Sequence, residues 1–347
     1  MAREFSVVAI VSAYNEEDIV AQAIGHLVDQ GVHVYLLDHA STDDTVNEAK
    51  PYLGRGLLEI ETFPSPGAGT PPDARQFTWE AILRRKEALA RDLDADWFIH
   101  HDADEFRESP WAGIRLRDAI QRVDHLGYNA IDFEVFNFLP THDRFQRGDD
   151  VREAFTFYES PRDCDRLQVK SWRKVAPVDL VSTGGHDAAF EGRRVFPIRF
   201  ILRHYPIRSQ AHGERKVFRE RRPRFAPEHT RGWHIQYDGI EEGHCFLRDP
   251  ATLLAYDPDT ARLRLCLEHR GVEELRRTLD ETRRVADDTV KALRRDVDHL
   301  TQVLEMRERA TQAQLADVRS ELAAVYGSRS WRWMAPLRAA QRLLHGP

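Results

Sequence analysis

Cysteine is scarce in this chain, with three among 347 residues, at positions 164, 245 and 266. An odd number without C-x-x-C spacing excludes a disulfide framework or zinc ribbon and suits a reducing compartment. Long apolar runs are also missing, and none approaches the roughly 18 residues of a membrane span. The opening MAREFSVVAIVSAYNEED turns acidic directly after its apolar stretch and has no small-residue cleavage site. It is expected to form a first strand rather than a signal peptide, and a cytoplasmic location is expected. Basic excess is absent too. A net charge of -7 argues against a general nucleic-acid binder, so no nucleic acid is expected as a partner. Phosphate-bearing small substrates stay open, because a local pocket decides those.

The hydrophobic fraction of 41% supports a core. The first hundred residues alternate between the periods of strand and helix. Phe5 to Ala13 is a β-branched apolar run, as in a strand covered on both faces. Glu16 to Gln30 has helical spacing and stops at Gly31, and Val32 to Leu37 is a second buried strand. A helix is predicted over Asp44 to Lys50, a strand over Leu57 to Phe63, a Pro/Gly loop over Pro64 to Pro72 and a helix over Phe77 to Leu93. Trp97 to His101 is a fourth strand. Repeated βα units with short links imply an α/β fold with a largely parallel sheet. Further strands are expected at Ala130 to Phe138 and Phe196 to Tyr205, a helix at Gln210 to Arg221, and an irregular stretch from Pro223 to Pro250.

In parallel sheets, ligands bind at the carboxyl ends of strands. Three polar clusters fall there: Tyr14-Asn15-Glu16, Asp38-His39 and Asp102 to Glu105. Asp102 and Asp104 lie two apart, which on extended backbone sets both carboxylates on one side. Such a pair can hold a hard divalent ion with positions open for phosphate oxygens. Five other pairs share the spacing: Asp92/Asp94, Asp94/Asp96, Asp163/Asp165, Asp257/Asp259 and Asp296/Asp298. The apolar strand Trp97-Phe98-Ile99 before it singles out Asp102/Asp104. Strand alternation leaves one of His100 and His101 facing the core.

"VVAIVSAYNEEDIV", "VYLLDHASTDDT" and "WFIHHDADEF" together resemble family 2-type glycosyltransferases of the GT-A fold, in the branch whose metal motif is D-x-D-E-F. "KSWRK", "GGHD", "HYPIRS" and "GWHIQYD" extend the resemblance, which covers roughly residues 6 to 256. It implies a nucleotide-diphospho-sugar transferase fold with a mixed, mostly parallel sheet, using a UDP- or GDP-sugar donor, Mn2+ or Mg2+, and a glycan or lipid-linked acceptor. Inversion at the sugar is implied as well. Tyr14 and Glu16 match positions lining the base pocket, and Asp38 matches an acid that contacts base or ribose. His39 departs from the second acid usual there. "RRKEAL" is similar to the family's R-N-x-G-L, which assigns Arg85 to the diphosphate or ribose. Asp102 and Asp104 match the metal motif, with Asp104 the direct ligand, and His204 matches a late histidine that completes the metal or touches the diphosphate. Lys170, Arg173 and Lys216 are candidate phosphate contacts. Without the nucleotide-binding role, Asp38 would cap its own turn and Glu16 would be a first-turn acid.

Inverting transfer needs a base for the acceptor hydroxyl. Gly184-Gly185-His186-Asp187 offers two, with Asp187 ahead of His186. A nucleotidyltransferase would need a Gly-rich loop after the first strand, where "SAYNEED" has no glycine. The remaining alternative is a non-catalytic scaffold.

Beyond about Cys266, Pro and Gly nearly vanish until Gly327. Val290, Leu293, Val297, Leu300 and Leu304 follow 3-4 spacing. Leu315, Val318, Leu322 and Val325 resume it after an eleven-residue step. This predicts a coiled coil with one register break, and self-association through it; the other reading is a single helix packed on the first domain. The expected divisions are 1–262 for the GT-A domain, 263–326 for the coiled coil and 327–347 for a basic, aromatic tail. Trp331, Trp333, Met334 and Leu337 among Arg329, Arg332, Arg338 and Arg342 suggest peripheral membrane contact, a partner surface or a helical cap.

Overall fold

The computed structural model describes residues 4–64, 79–159, 167–175, 177–221, 233 and 239–345. Cys164, the Asp163/Asp165 pair, most of the Pro64 to Pro72 loop, His229, His234 and most of "GWHIQYD" lie outside the described residues.

The fold is α/β. In order come β1 (Val7–Ala13), α1 (Val20–Asp29), β2 (His33–Asp38), α2 (Thr45–Ala49), β3 (Leu57–Thr62), α3 (Trp79–Asp92), β4 (Trp97–Asp102), β5 (Glu105–Glu108), α4 (Leu116–His125) and β6 (Ala130–Phe138). Then follow α5 (Val151–Ala154), β7 (Phe157–Glu159), β8 (Val169–Arg173), β9 (Val195–His204), α6 (Gln210–Glu214), a π-helical turn (Arg215–Arg221), β10 (Leu254–Ala255), α7 (Pro258–Gly327), α8 (Arg329–Trp333) and α9 (Ala335–His345). The central sheet is mixed. Its first half, β3-β2-β1-β4, is parallel throughout, and β8 pairs antiparallel to β4. β6 pairs parallel with β9, which also carries β5.

Period-2 burial builds the layers. Val7, Ala9 and Val11 pack on one side with Val20, Ile24 and Leu27 of α1 and Leu116, Ile120 and Val123 of α4. Val8 and Ile10 pack on the other side with Ile82, Leu83, Leu89 and Ala90 of α3. A third, aromatic cluster joins Phe106, Phe136, Phe138 and Tyr205 to Ala261 and Leu265 in the first turns of α7.

Most predicted elements appear within a few residues of their expected bounds; β5, α5 and β10 are short elements that were not predicted, and three larger differences stand out. α1 begins at Val20 rather than Glu16, because Asn15 turns the chain at φ 54 and directs Glu16 out of the helix. Asn tolerates that left-handed conformation through local side-chain bonds, and here its Oδ1 accepts from Thr42 N at 2.8 Å. α4 was not anticipated, although Leu116, Ala119, Ile120 and Val123 form one helical face. The helix expected over Gln210 to Arg221 widens into a π turn after Glu214.

Residues up to Arg270 form one compact unit and those from Gly271 another. In the second unit α7 continues to Gly327, and α8 and α9 follow, with Trp333 86% exposed. Arg338 stacks over Trp331, its guanidinium 3.7 Å from the ring centroid. Among the described residues no helix is long and apolar enough to cross a membrane. Cys245 and Cys266 are exposed, free thiols.

Candidate active site

The strand ends of β1, β4 and β9 converge on a pocket of about 180 Å³. Tyr14, Glu16, Asp102, Asp104, Lys170, His186 and His204 all line it. Parallel strands end on one edge, so the polar residue that follows each apolar run arrives at the same place.

The pocket's acids are matched by buried cations. Asp102 accepts from Ser12 Oγ at 2.7 Å, and the Lys86 ammonium stands 3.8 Å from its Oδ1. Burial pushes the Asp102 carboxyl up, but Lys86 and His100 outweigh it and hold it far below the usual range. Glu105 accepts from Arg107 and, at 2.9 Å, from Lys170, and is held down to about 2 despite its burial. Asp104 accepts from Lys216 at 2.7 Å. The same ammonium reaches Glu16 Oε1 at 3.1 Å, and Glu16 Oε2 accepts from Arg208. Arg208 is fully buried and also holds Asp18, at 2.7 and 2.8 Å. A buried carboxylate keeps its charge only when paired and hydrogen-bonded.

Lys86, rather than its neighbour Arg85, serves this pocket. Successive helix residues point about 100° apart. Arg85 therefore leaves the strand ends and forms two 2.8 Å bonds with Glu61. Lys86 is fully buried, donating to the His101 carbonyl at 2.8 Å and lying 3.1 Å from His100 Nδ1. Burial draws its pKa down to about 8.

Three other expected site residues stand elsewhere. Asp38 is buried and does not line the pocket; its carboxylate accepts from Ser41 N at 3.2 and 3.3 Å, which caps its turn. Burial raises its pKa. His39, beside it, is the residue that lines the pocket. Asp187 is outside the lining, tied to Arg193, while its backbone N–H donates to Thr183 Oγ1 at 3.1 Å. Arg173 is largely exposed and pairs with Asp124 at 3.3 Å.

The Gly184-Gly185 turn packs tightly under the pocket, with both residues at positive φ. A Cβ on Gly185 would lie 3.0 Å from His100 Nε2 and 3.1 Å from Leu83 Cδ2. Trp79 Nε1 donates to the Gly184 carbonyl at 2.8 Å. The turn presents His186 at the pocket, exposed, with its Nδ1 3.0 Å from Gln168 Nε2.

Among the described residues, no three His, Cys, Asp or Glu side chains form a ready-made metal site. Two do fit one ion. His204 Nδ1 meets Asn137 Oδ1 at 2.8 Å, so as an N–H donor there it turns its Nε2 lone pair inward. That Nε2 lies 3.7 Å from Asp104 Oδ2, and two ligands of one ion at roughly 2.1 Å each lie within about 4.2 Å of each other. Mg2+-type sites often use one or two protein ligands and take the rest from substrate phosphates.

Four histidines of this unit, His26, His100, His101 and His212, are buried and drawn below their ordinary value, first by burial. His101 falls to about 3. The unfolded chain takes up these protons near pH 6.5 and the folded chain does not. Stability is therefore retained above pH 6.5 and lost as pH falls below it, by about 2 kcal/mol at pH 5 for His101, with the other three adding in the same direction. A melting temperature that stays flat from pH 7 to 5 would contradict this.

The fold and pocket define an α/β domain with a charged ligand pocket at its parallel strand ends. Residues 5–176, just under half the chain, match Glycosyltransferase family 92. The sequence motifs had resembled family 2-type enzymes; the matched family is a different one, also of glycosyltransferases. The match spans Tyr14, Glu16, Lys86, Asp102, Asp104 and Lys170, while His186, His204, Arg208 and Lys216 lie beyond it. No curated protein matches the chain. Among solved structures it is similar to S. aureus TarS 1-349 in complex with UDP, with TM-score 0.34 and 12% identity over 58% of this chain and 61% of that one. It is also similar to the mannosyltransferase PcManGT from Pyrobaculum calidifontis in complex with GDP-Man and Mn2+, with TM-score 0.28 and 16% identity over 38% and 36%. The chain thus spans under two thirds of either.

Proposed function

We propose that this chain is a glycosyltransferase that takes its sugar from a nucleoside-diphosphate donor bound at the β1, β4 and β9 ends. The observation that carries the reading is the pairing of Asp104 with His204, 3.7 Å apart in a pocket lined with buried cations. The family match over residues 5–176 supports it.

Asp104 and His204 would hold Mn2+ or Mg2+, with Asp102 beside them. When bound, the ion offsets the charge on the diphosphate and eases its departure. Lys170 and Lys216 supply further positive charge to that group, released from Glu105 and from Asp104 as the donor enters. Tyr14, Glu16 and His39 stand on the nucleoside side of the pocket. Once the donor is seated these cations already face its diphosphate, so little further reorganisation accompanies charge development in the transition state.

His186 is the base we assign for the acceptor hydroxyl, in place of Asp187. It reaches the pocket and the Gln168 amide orients its ring, whereas the Asp187 carboxylate is engaged by Arg193. His186→Ala is expected to lower kcat by about 100- to 10,000-fold with donor binding kept. Asp187→Asn is expected to lower stability and leave kcat within a few fold. Steady-state kinetics and nucleotide titration on both variants check this, and the reverse ranking would return the role to Asp187.

A thermal-shift screen of UDP- and GDP-sugars with and without Mn2+ tests the reading as a whole. Stabilisation by a nucleotide sugar that needs the ion is the expected result, and turnover of that donor follows from it. No stabilisation and no turnover would leave a non-catalytic scaffold. The glycan or lipid-linked nature of the acceptor, and contact of the α8–α9 tail with an anionic membrane, belong to the same proposal; co-sedimentation with anionic but not zwitterionic vesicles checks the latter.

A further inference from the structure

We infer that α7 is one strand of a parallel two-stranded coiled coil formed with a second copy of this chain. From Gly271 onward the helix belongs to the second compact unit, and an isolated helix gains little stability from propensity alone. Its apolar residues form a narrow stripe. Val290, Leu293, Val297, Leu300 and Leu304, then Leu315, Val318, Leu322 and Val325, are 45–64% exposed. Alternating steps of three and four keep such a stripe facing a partner only if the partner is a helix with the same 3.5-residue repeat.

No other segment described in the chain can be that partner. α7 has 70 residues, and the next longest helix among the described residues, α3, has 14. The stripe from Val290 to Val325 runs about 54 Å at 1.5 Å per residue. A helix of 14 residues covers roughly 21 Å of it. An identical chain supplies the whole length in matching register.

The residue types of the first block bear on the number of strands. The step from 290 to 293 is three and from 293 to 297 four, so Val290 and Val297 occupy the a positions and Leu293 and Leu300 the d positions. In this first block valine at a with leucine at d favours two parallel strands, and the two-stranded assignment rests on it; after the break the types reverse, with Leu315 and Leu322 at a and Val318 and Val325 at d. The eleven-residue step from Leu304 to Leu315 is a four-residue insertion that locally unwinds the pair without changing the face in use. Nine such residues from each of two chains, at roughly 60–100 Å² each, bury on the order of 1,000–1,800 Å², within the range of stable interfaces. The flanks are solvated, as in the exposed Arg309–Glu305 and Lys291–Asp288 pairs.

The experiment is light scattering on the full chain at about 10 μM, with circular dichroism alongside. The expected result is twice the chain mass. Leu293→Asp with Leu300→Asp should weaken association by about 100-fold or more, because each charge would be buried against an apolar partner. The variant should then run at single mass, with reduced helical signal and an unchanged melting transition of the α/β unit. Glu305→Ala, off the stripe, should keep the double mass. Val297→Cys, in a chain whose three native cysteines are serine, should form an interchain disulfide, since parallel register brings both copies of that residue together. A native chain of single mass overturns the inference, as does a double mass that survives Leu293→Asp/Leu300→Asp. Failure of Val297→Cys to cross-link a confirmed dimer overturns the parallel arrangement.

Discussion

Asp104→Asn is expected to lower glycosyl transfer by about 1,000-fold and to abolish ion-dependent stabilisation by the nucleotide sugar. Asp104 is buried, and burial pushes its carboxyl up. The Lys216 ammonium at 2.7 Å and the nearby His204 outweigh that and hold it well below the usual range. The side chain is therefore an anion at any working pH. Asparagine keeps its volume and loses its charge, which takes one of its carboxylate partners from Lys216 and leaves His204 without an anionic co-ligand. Some structural cost follows, since a buried cation has lost a partner. Comparing the melting temperature of the ligand-free variant with its response to Mn2+ and donor separates that cost from the loss of function. An Asn variant with full turnover would remove the basis of the proposed reaction.

Arg208→Met is expected to produce the largest loss of stability, about 3–5 kcal/mol, equivalent to roughly 10 °C in a domain of this size. Its guanidinium is fully buried and binds Glu16, both oxygens of Asp18 and the Tyr205 carbonyl. It ties the turn after β1 to the segment after β9. Burial would lower its pKa, yet Glu16 and Asp18 raise it. Asp18 in turn is pushed up by burial and held below its ordinary value by Arg208. Methionine leaves the buried Glu16 and the half-buried Asp18 without that cation. Because breaking the pair strands the partner charge, adding Asp18→Asn to Arg208→Met should recover part of the loss, a coupling that a double-mutant cycle measures. A loss below about 1 kcal/mol in urea titration would show that water replaces the guanidinium at no cost.

Arg208 lay inside "HYPIRS" and yet was not singled out as a site residue. Nothing in its local pattern distinguishes it from a surface arginine. Its partners are 190 and 192 residues away in sequence. Lys86 was missed for a different reason. The resemblance of "RRKEAL" points to Arg85, and one helical step redirects that side chain from the sheet edge to Glu61. The Lys86 signal was its place among Ile82, Leu83, Leu89 and Ala90, the apolar face of α3. A lysine on such a face is buried by geometry and must find acids.

The clusters after β1 and β4 were legible because they follow apolar runs whose period is local. A strand's alternation and its stop are set by residues two apart. Asp38 shows the limit of that logic. It ends β2 as expected, but its carboxylate bonds the backbone N–H of Ser41, three residues on, which an extended strand end followed by a tight turn makes the nearest donor. His39 takes the pocket position instead.

The sequence by itself determined the α/β order, the bounds of β6 and, to within two residues, those of β1, β2 and β4, and the convergence of Glu16, Asp102 and Asp104 on one edge, because those follow from short-range periodicity and chain connectivity. Only the tertiary structure decided which cation faces which acid: Lys86 beside Asp102, Lys170 on Glu105, Lys216 between Glu16 and Asp104, Arg208 beneath Glu16. Those pairings are selected by the cost of burying charge, a quantity that exists only once distant segments have excluded water from between them.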